Sequence, residues 1–274
     1  HLVGGKCSSL GELHTISKEI GFKIGDGFAL TTTLYDDFIS HNGFSEKIEQ
    51  LLKQIHYDDL KHLEDSARQL RELVCSGEFT SAMKDEITQN YSYLCKQYHL
   101  ENMEVAVRSS ALAEDLPNAS FAGQHDTFLN VSGNETLLQN VKHCFASLFN
   151  THAVSYRNTH DIQLCDIKIS VAIQKMIRSD IGSAGVAFSL DPETGYNKAI
   201  VINSAFGLGE LVVSGGVKPD EFILDKRVLR DILADPIIIK KKGDKNTKIV
   251  YDSKGGVEEI ETSEFEKVNY SMSN

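Results

Sequence analysis

An α+β fold is predicted for this chain by two observations. Before Cys165 the hydrophobic pattern is mainly helical, and after it the pattern is mainly that of short strands separated by polar, glycine-bearing loops. The switch is plainest at Ile167–Ile177 (IKISVAIQKMI), where Ile167, Ile169, Val171 and Ile173 share one face and Ala172, Gln174 and Met176 share the other. The expected division is a helix-rich part, residues 1–165, and a strand-rich part, residues 166–274.

The chain opens on Leu2–Leu13 (LVGGKCSSLGEL), two glycines and a lysine running into a helical pattern. Gly4 and Gly5 allow close backbone approach, a helix start offers unpaired N–H groups, and Lys6 adds a mobile positive charge. The spacing is not that of a P-loop, and for this segment by itself a glycine turn with a solvated lysine is the better reading. Ile24–Thr33 reads as a turn and a short strand, followed by a helix over Leu34–Ser40. From Ser45 to Leu100 the pattern is helical, broken at Gly77. Its stripes are Ile48, Leu51, Leu52, Ile55, then Leu60, Leu63, Ala67, Leu70, and finally Met83, Ile87, Tyr91, Leu94 over Ser81–Tyr98. These stripes are core, and no chemistry is assigned to them.

Glu104–Val131 (EVAVRSSALAEDLPNASFAGQHDTFLNV) is the most informative stretch. Val105 and Val107 mark a short strand that delivers Arg108, Ser109 and Ser110 at its end, and a glycine-bearing turn leads to a second strand ending at Val131. A helix over Asn134–Phe149 follows, with helical character continuing through Ala153–Arg157. Later strands are expected at Ala184–Ser189, Ala199–Asn203, Glu221–Leu224, Ile237–Lys240 and Lys248–Tyr251.

Composition narrows the function. The net charge of −11, from 28 Lys and Arg against 39 Asp and Glu, argues against broad nucleic-acid binding, so an anionic ligand must be met by a local cluster of cations. The five cysteines are scattered without a C-x-x-C pair, which suggests neither a disulfide framework nor a zinc site and fits a reducing cytoplasm. No apolar run approaches the roughly 20 residues that cross a bilayer, and no signal peptide is visible. The start at His1 and the polar end NYSMSN lead to the expectation of a fragment of a longer protein.

Lys6, Arg108 and Gln174 supply the two kinds of group that a nucleoside triphosphate needs, cations for phosphate and an amide edge for a base. The Ser109, Ser110 and Thr127 hydroxyls could donate to phosphate oxygens. Gln174 satisfying a neighbouring backbone group is the equal alternative. Glu114 and Asp115 could hold magnesium but read better as solvated charges, and the ten histidines show no ligand spacing.

At this point the chain resembles the N-terminal nucleotide-binding region of the phosphoenolpyruvate synthase and pyruvate phosphate dikinase family. The strings that carry the resemblance are VGGKCSSLGE, GFALTT, AVRSSALAEDLPNASFAGQHDTFLNV, FASLFNTHAVSYR, VAIQKMIRSDIGSAGVAFSLDPETG and SAFGLGELVVSGGVKPDEFIL, in order over almost the whole chain. FASLFNTHAVSYR and VKPDEFIL favour the synthase over the dikinase or the rifampicin phosphotransferases, which remain the alternatives beside a non-catalytic nucleotide-binding module.

The resemblance implies an ATP-grasp-like fold whose two lobes close on a nucleotide cleft, the C-terminal lobe here incomplete. It implies a phosphotransferase with paired acceptors, pyruvate and water, that uses ATP and magnesium to form phosphoenolpyruvate, AMP and phosphate through a phosphohistidine on a separate domain. Carried over residue by residue, Lys6 and Arg108 resemble the phosphate-binding, catalytic cations. Ser109, Gly123 and Thr127 belong to the same phosphate region, and Gln174 with the Lys175–Met176 backbone resembles the adenine hinge. Cys7 stands where the family usually has asparagine, and His125 where it has glutamine. The family's D-I-E-W and Q-x-R-P segments do not occur in this sequence, so metal ligands are expected outside it and the chain is not expected to run the full reaction alone. A homodimer of the parent enzyme is a further expectation; nucleic acid and membrane are not expected partners.

Overall fold

A computed structural model of the chain describes residues 2–111, 115–116, 119–120, 126–159, 168–231 and 233–273, with only the backbone of 115–116, 119–120 and 157. It divides into two units, His1–Met176 and Ile177–Asn274.

The first unit begins with α1 (Gly5–Ile20), β1 (Gly27–Leu30), α2 (Thr32–His41), α3 (Ser45–Lys53), α4 (Leu60–Cys75) and α5 (Ser81–Gln97). It continues with β2 (Val105–Ala111), the short pair β3 (Asp115–Leu116) and β4 (Ala119–Ser120), and β5 (Thr127–Val131). Last come α6 (Asn134–Ala146) with a 3₁₀ turn over Ser147–Phe149, α7 (Thr151–Thr159) and β6 (Ile169–Lys175). Its main sheet has the order β1-β6-β2-β5 and is antiparallel throughout.

Side chains alternate across a strand, and β6 shows it cleanly. Ile169, Val171 and Ile173 are fully buried against the helical layer, as the period-two pattern requires. In that layer Phe38 packs on Phe79 and Phe145 with ring centroids 4.9 and 5.4 Å apart, and Ile87, Tyr91 and Leu94 of α5 are buried. Tyr91 resolves its own polarity: its hydroxyl donates to the Met103 carbonyl at 2.7 Å and accepts from the Gly133 N–H at 3.1 Å. Helices α4 and α5 start where Asp59 and Thr80 accept hydrogen bonds from His62 and Met83 N–H groups.

The second unit holds β7 (Ser183–Phe188), β8 (Ala199–Phe206), α8 (Glu210–Ser214), β9 (Asp220–Asp225) and β10 (Ile237–Lys241). The hairpin β11 (Thr247–Tyr251) and β12 (Val257–Glu261) and then α9 (Glu264–Val268) complete it. Strands β7 to β10 form an antiparallel sheet in which each pairs with the next in sequence. Under it lies an ion pair with both side chains fully buried: Lys245 Nζ is 2.5 Å from Asp220 Oδ1. Asp220 also accepts from the Gly243 N–H, and its second oxygen accepts from the N–H and hydroxyl of Ser271. Burial pushes the Asp220 carboxyl up, but these donors outweigh it and hold the carboxyl below its ordinary value.

The structure divides after Met176, whereas the sequence pattern places the change after Cys165, which lies outside the described residues. The physical reason is pairing. Strand β6 follows the helix-rich region in sequence but is the second strand of the first unit's sheet, bonded to both β1 and β2. No helix among the described residues is long and apolar enough to cross a membrane.

Two stability outcomes follow from this packing. A Cβ added at Gly11 in α1 meets nothing within 4 Å, so Gly11→Ala should stabilise the chain by about 0.5–1 kcal/mol in denaturant melts. The same change at Gly27 places Cβ 2.2 Å from the Ile173 carbonyl oxygen and should destabilise it. In the second unit, Asp220→Asn leaves Lys245 buried without its counter-charge and should cost about 3–5 kcal/mol, much of it restored in Asp220→Leu with Lys245→Met. Because the folded-state pKa of Asp220 is lowered, its contribution is present above the ordinary carboxylate pKa of about 4. It is lost as pH falls through the lowered value, and an acid melt of wild type against the double variant should show the difference.

Candidate functional site

One face of the first unit's sheet is core, and the other carries Arg108 and Gln174. On that second face Arg108 of β2 pairs with Thr127 of β5 and with Ala172 of β6, which in turn pairs with Ala29 of β1. In the next row Ala106 pairs with Gln174, and Gln174 with Gly27. The row on the other side is Ser110 against Ser170. Small residues thus flank Arg108 and Gln174.

Helix α1 is fixed to this face at its N-terminus. Gly4 N–H donates to Ser170 Oγ at 2.9 Å, Cys7 N–H donates to Ser110 Oγ at 3.3 Å, and Ser170 Oγ donates to the Ser110 carbonyl at 2.9 Å. A Cβ on Gly4 would lie 2.4 Å from the Ser110 carbonyl oxygen, so close docking of chain against strand is what that glycine serves. Docking brings half-buried Lys6, in the first turn of α1, to the face that carries Arg108.

Arg108 is the polar outlier of the unit. Its Nε is buried and has no hydrogen-bond partner among the described residues. An unmet buried donor costs about 1–3 kcal/mol, which an anionic acceptor would offset.

Beside it lies a cleft of about 520 Å³. Cys7, Leu10, Gly11 and His14 of α1 form one wall, Asn90, Tyr93, Leu94 and Gln97 of α5 another, and Ala29, Ala172 and Gln174 belong to the sheet floor. Gln174 Nε2 donates to the Gly25 carbonyl at 3.1 Å. Next to Gly25, Asp26 accepts from the Tyr98 hydroxyl, and that hydrogen bond pushes the Tyr98 phenol up to about 12. His14 Nδ1 is 3.6 Å from the other Asp26 oxygen, and Lys175 Nζ lies 4.4 Å above the Tyr98 ring.

The sequence-predicted residues fall into three groups. Lys6, Arg108, Thr127 and Gln174 belong to the one face, with Thr127 exposed. Ser109 does not join them: period two turns it to the core side, where its hydroxyl donates to the Asp126 carbonyl at 3.0 Å. Lys175 likewise points its side chain to Tyr98. The hinge N–H groups are also engaged, Lys175 with the Asp26 carbonyl at 2.7 Å and Met176 with the Glu104 carbonyl at 3.0 Å. Gly123, Glu114 and His125 lie outside the described residues. Among the described residues no three His, Cys, Asp or Glu side chains converge as candidate metal ligands.

Asp26, Tyr98 and the α5 wall were missed by sequence reasoning. Asn90, Tyr93 and Gln97 are spaced as one helix face beside the buried Ile87–Tyr91–Leu94 stripe, and that spacing was the available signal.

The Pyruvate phosphate dikinase, AMP/ATP-binding domain family matches residues 1–274. Similar curated proteins include the "Phosphoenolpyruvate synthase" of Helicobacter pylori, 44% identical over 276 residues, covering 100% of this chain and 34% of that protein. That of Aquifex aeolicus is 44% identical over 250 residues, 91% of this chain and 29% of the relative, and that of Escherichia coli is 41% identical over 250 residues, 91% and 31%. The chain therefore spans about a third of the length of these relatives. Matched from end to end by one domain family, it belongs to the pyruvate phosphate dikinase AMP/ATP-binding domain family.

Proposed function

We propose that this chain is the ATP-binding part of a phosphoenolpyruvate synthase, with an ATP-grasp-like fold. In this reading Arg108 and Lys6 neutralise the phosphates and Gln174 meets the base. The observation that carries it is the buried Arg108 Nε, without a partner among the described residues, on the same sheet face as Gln174 and the α1 N-terminus. A guanidinium offers a fork of donors matched to phosphate oxygens, while an ammonium is a single mobile charge, so Arg108 orients and Lys6 neutralises. Thr127, paired with Arg108 and exposed, adds a hydroxyl beside it, and Gly123 belongs to the same proposed phosphate region.

The chemistry asked of these residues is electrostatic. Phosphoryl transfer spreads charge over the transferred group, and pre-placed cations stabilise it without reorganising. Magnesium, when bound with ATP, would add positive charge at the phosphates, its protein ligands belonging to the longer protein in this reading. Phosphorylation of a histidine on a further domain, and then of pyruvate, belongs to the longer protein in this reading. So does a dimer. A cytoplasmic setting fits the unpaired thiols of Cys7, Cys75, Cys95 and Cys144.

The test is calorimetric titration of the full-length protein with ATP. Arg108→Ala should weaken ATP binding about tenfold or more, Arg108→Lys should recover only part of it, and Lys6→Ala should weaken it with a shallower salt dependence. AMP formation by the full-length protein should require pyruvate; pyruvate-independent ATP consumption would overturn the synthase assignment.

A further inference from the structure

Gln174 is not free to choose how it presents its amide. Its neighbour in the loop, the Gly25 carbonyl, can only accept, so the amide must turn Nε2 toward it, as the 3.1 Å contact records. The acceptor Oε1 is then fixed at the opposite end of a side chain that lines the cleft. A base meeting that end must bring a donor, as the exocyclic amine of adenine does and the 6-oxo group of hypoxanthine or guanine does not.

What fixes the Gly25 carbonyl is therefore what fixes the base preference. The Gly25–Asp26 peptide has little intrinsic resistance to rotation, because glycine precedes it and Gly27 follows its partner residue. Three contacts hold Asp26: its carbonyl accepts from the Lys175 N–H at 2.7 Å, one carboxylate oxygen accepts from the Tyr98 hydroxyl at the end of α5, and the other lies 3.6 Å from His14 Nδ1. A rotated peptide would turn the Asp26 N–H toward Gln174 in place of the carbonyl. The amide would then reverse and present its NH₂ end to the base, which suits an oxo group.

We propose that Asp26 and Tyr98 are positioning residues that lock Gln174 as a hydrogen-bond acceptor and so select purine nucleotides that carry an amine, rather than an oxo group, at the 6-position. The proposal rests on the nucleotide-binding reading and adds to it a residue pair and a selectivity. Neither residue touches the base; both act through the Gly25 carbonyl.

The experiment measures dissociation constants of the full-length protein for ATP and for inosine triphosphate, which differ in the base by amine against oxo. Wild type should prefer ATP by about tenfold or more. Tyr98→Phe and Asp26→Ala should bring the two nucleotides within about threefold of each other, partly by gaining affinity for inosine triphosphate. Asp26→Asn, which keeps an acceptor for the Tyr98 hydroxyl, should retain the preference. Thermal melts of each variant confirm folding, and the two disruptive variants reach the same contact from opposite sides. Equal weakening of both nucleotides in Tyr98→Phe and Asp26→Ala, with the ratio intact, would overturn the proposal and leave the pair purely structural. Equal binding of both nucleotides by wild type would overturn it as well. Failure of wild type to bind either nucleotide would instead sink the nucleotide reading itself, and this inference with it.

Discussion

Strand β6 is hydrogen-bonded along both edges, to β1 on one side and to β2 on the other, and its register decides what each neighbouring residue can do. A slip of one residue would exchange its faces, sending Gln174 into the helical core and Ile173 toward the cleft. Fully buried Ile169, Val171 and Ile173 oppose that slip, since each would lose on the order of 2 kcal/mol of burial. The core therefore sets the site. With the register fixed, Arg108 and Gln174 fall on one face in adjacent rows, and Gly27, Ala29, Ala106 and Ala172 lie around them. Small residues on that face leave room for α1 and for the cleft, which large ones would fill.

The same alternation explains how much of this was legible in the sequence. Period two in IKISVAIQKMI placed Gln174 opposite the buried isoleucines before any coordinates, and helix boundaries at Ser81 and Asn134 agree with the structure to the residue at their starts. Ser109 was open to the same reasoning, because it is one residue from Arg108 on a strand and must face the other way; grouping it with the phosphate contacts treated as a loop what is a strand through Ala111. Strand β12 was not legible. Val257–Glu261 is acidic and exposed along most of its length, and without a buried face there is no periodicity to read. Helices α8 and α9 span too few residues for a periodic pattern. The Asp26–Tyr98 contact joins residues far apart in sequence, and no local pattern announces such a pair.

Most polar groups near the site are spent on holding the scaffold. Ser110 and Ser170 secure the start of α1, Ser109 holds Asp126, and the N–H groups of Lys175 and Met176 tie the end of β6 to the Asp26 and Glu104 carbonyls. This is how a site is kept rigid: hydroxyls and amides that could have met a ligand instead fix the elements carrying the few groups that do. Arg108 Nε stands apart from that network, without a partner among the described residues.

A buried ion pair in one unit and a half-buried arginine in the other show the contrast. In the second unit, Asp220 and Lys245 lie fully buried with each other, and the remaining capacity of Asp220 is taken by Gly243 and Ser271, so the pair has nothing left to offer a ligand. In the first unit, Arg108 stands on a strand whose neighbours could have carried a carboxylate but carry Thr127 and Ala172, and its Nε is unmet among the described residues. Folding alone would favour an acceptor there. A chain with an excess of Asp and Glu has no shortage of them, yet the strand positions paired with Arg108 carry none, as the proposed phosphate contact requires.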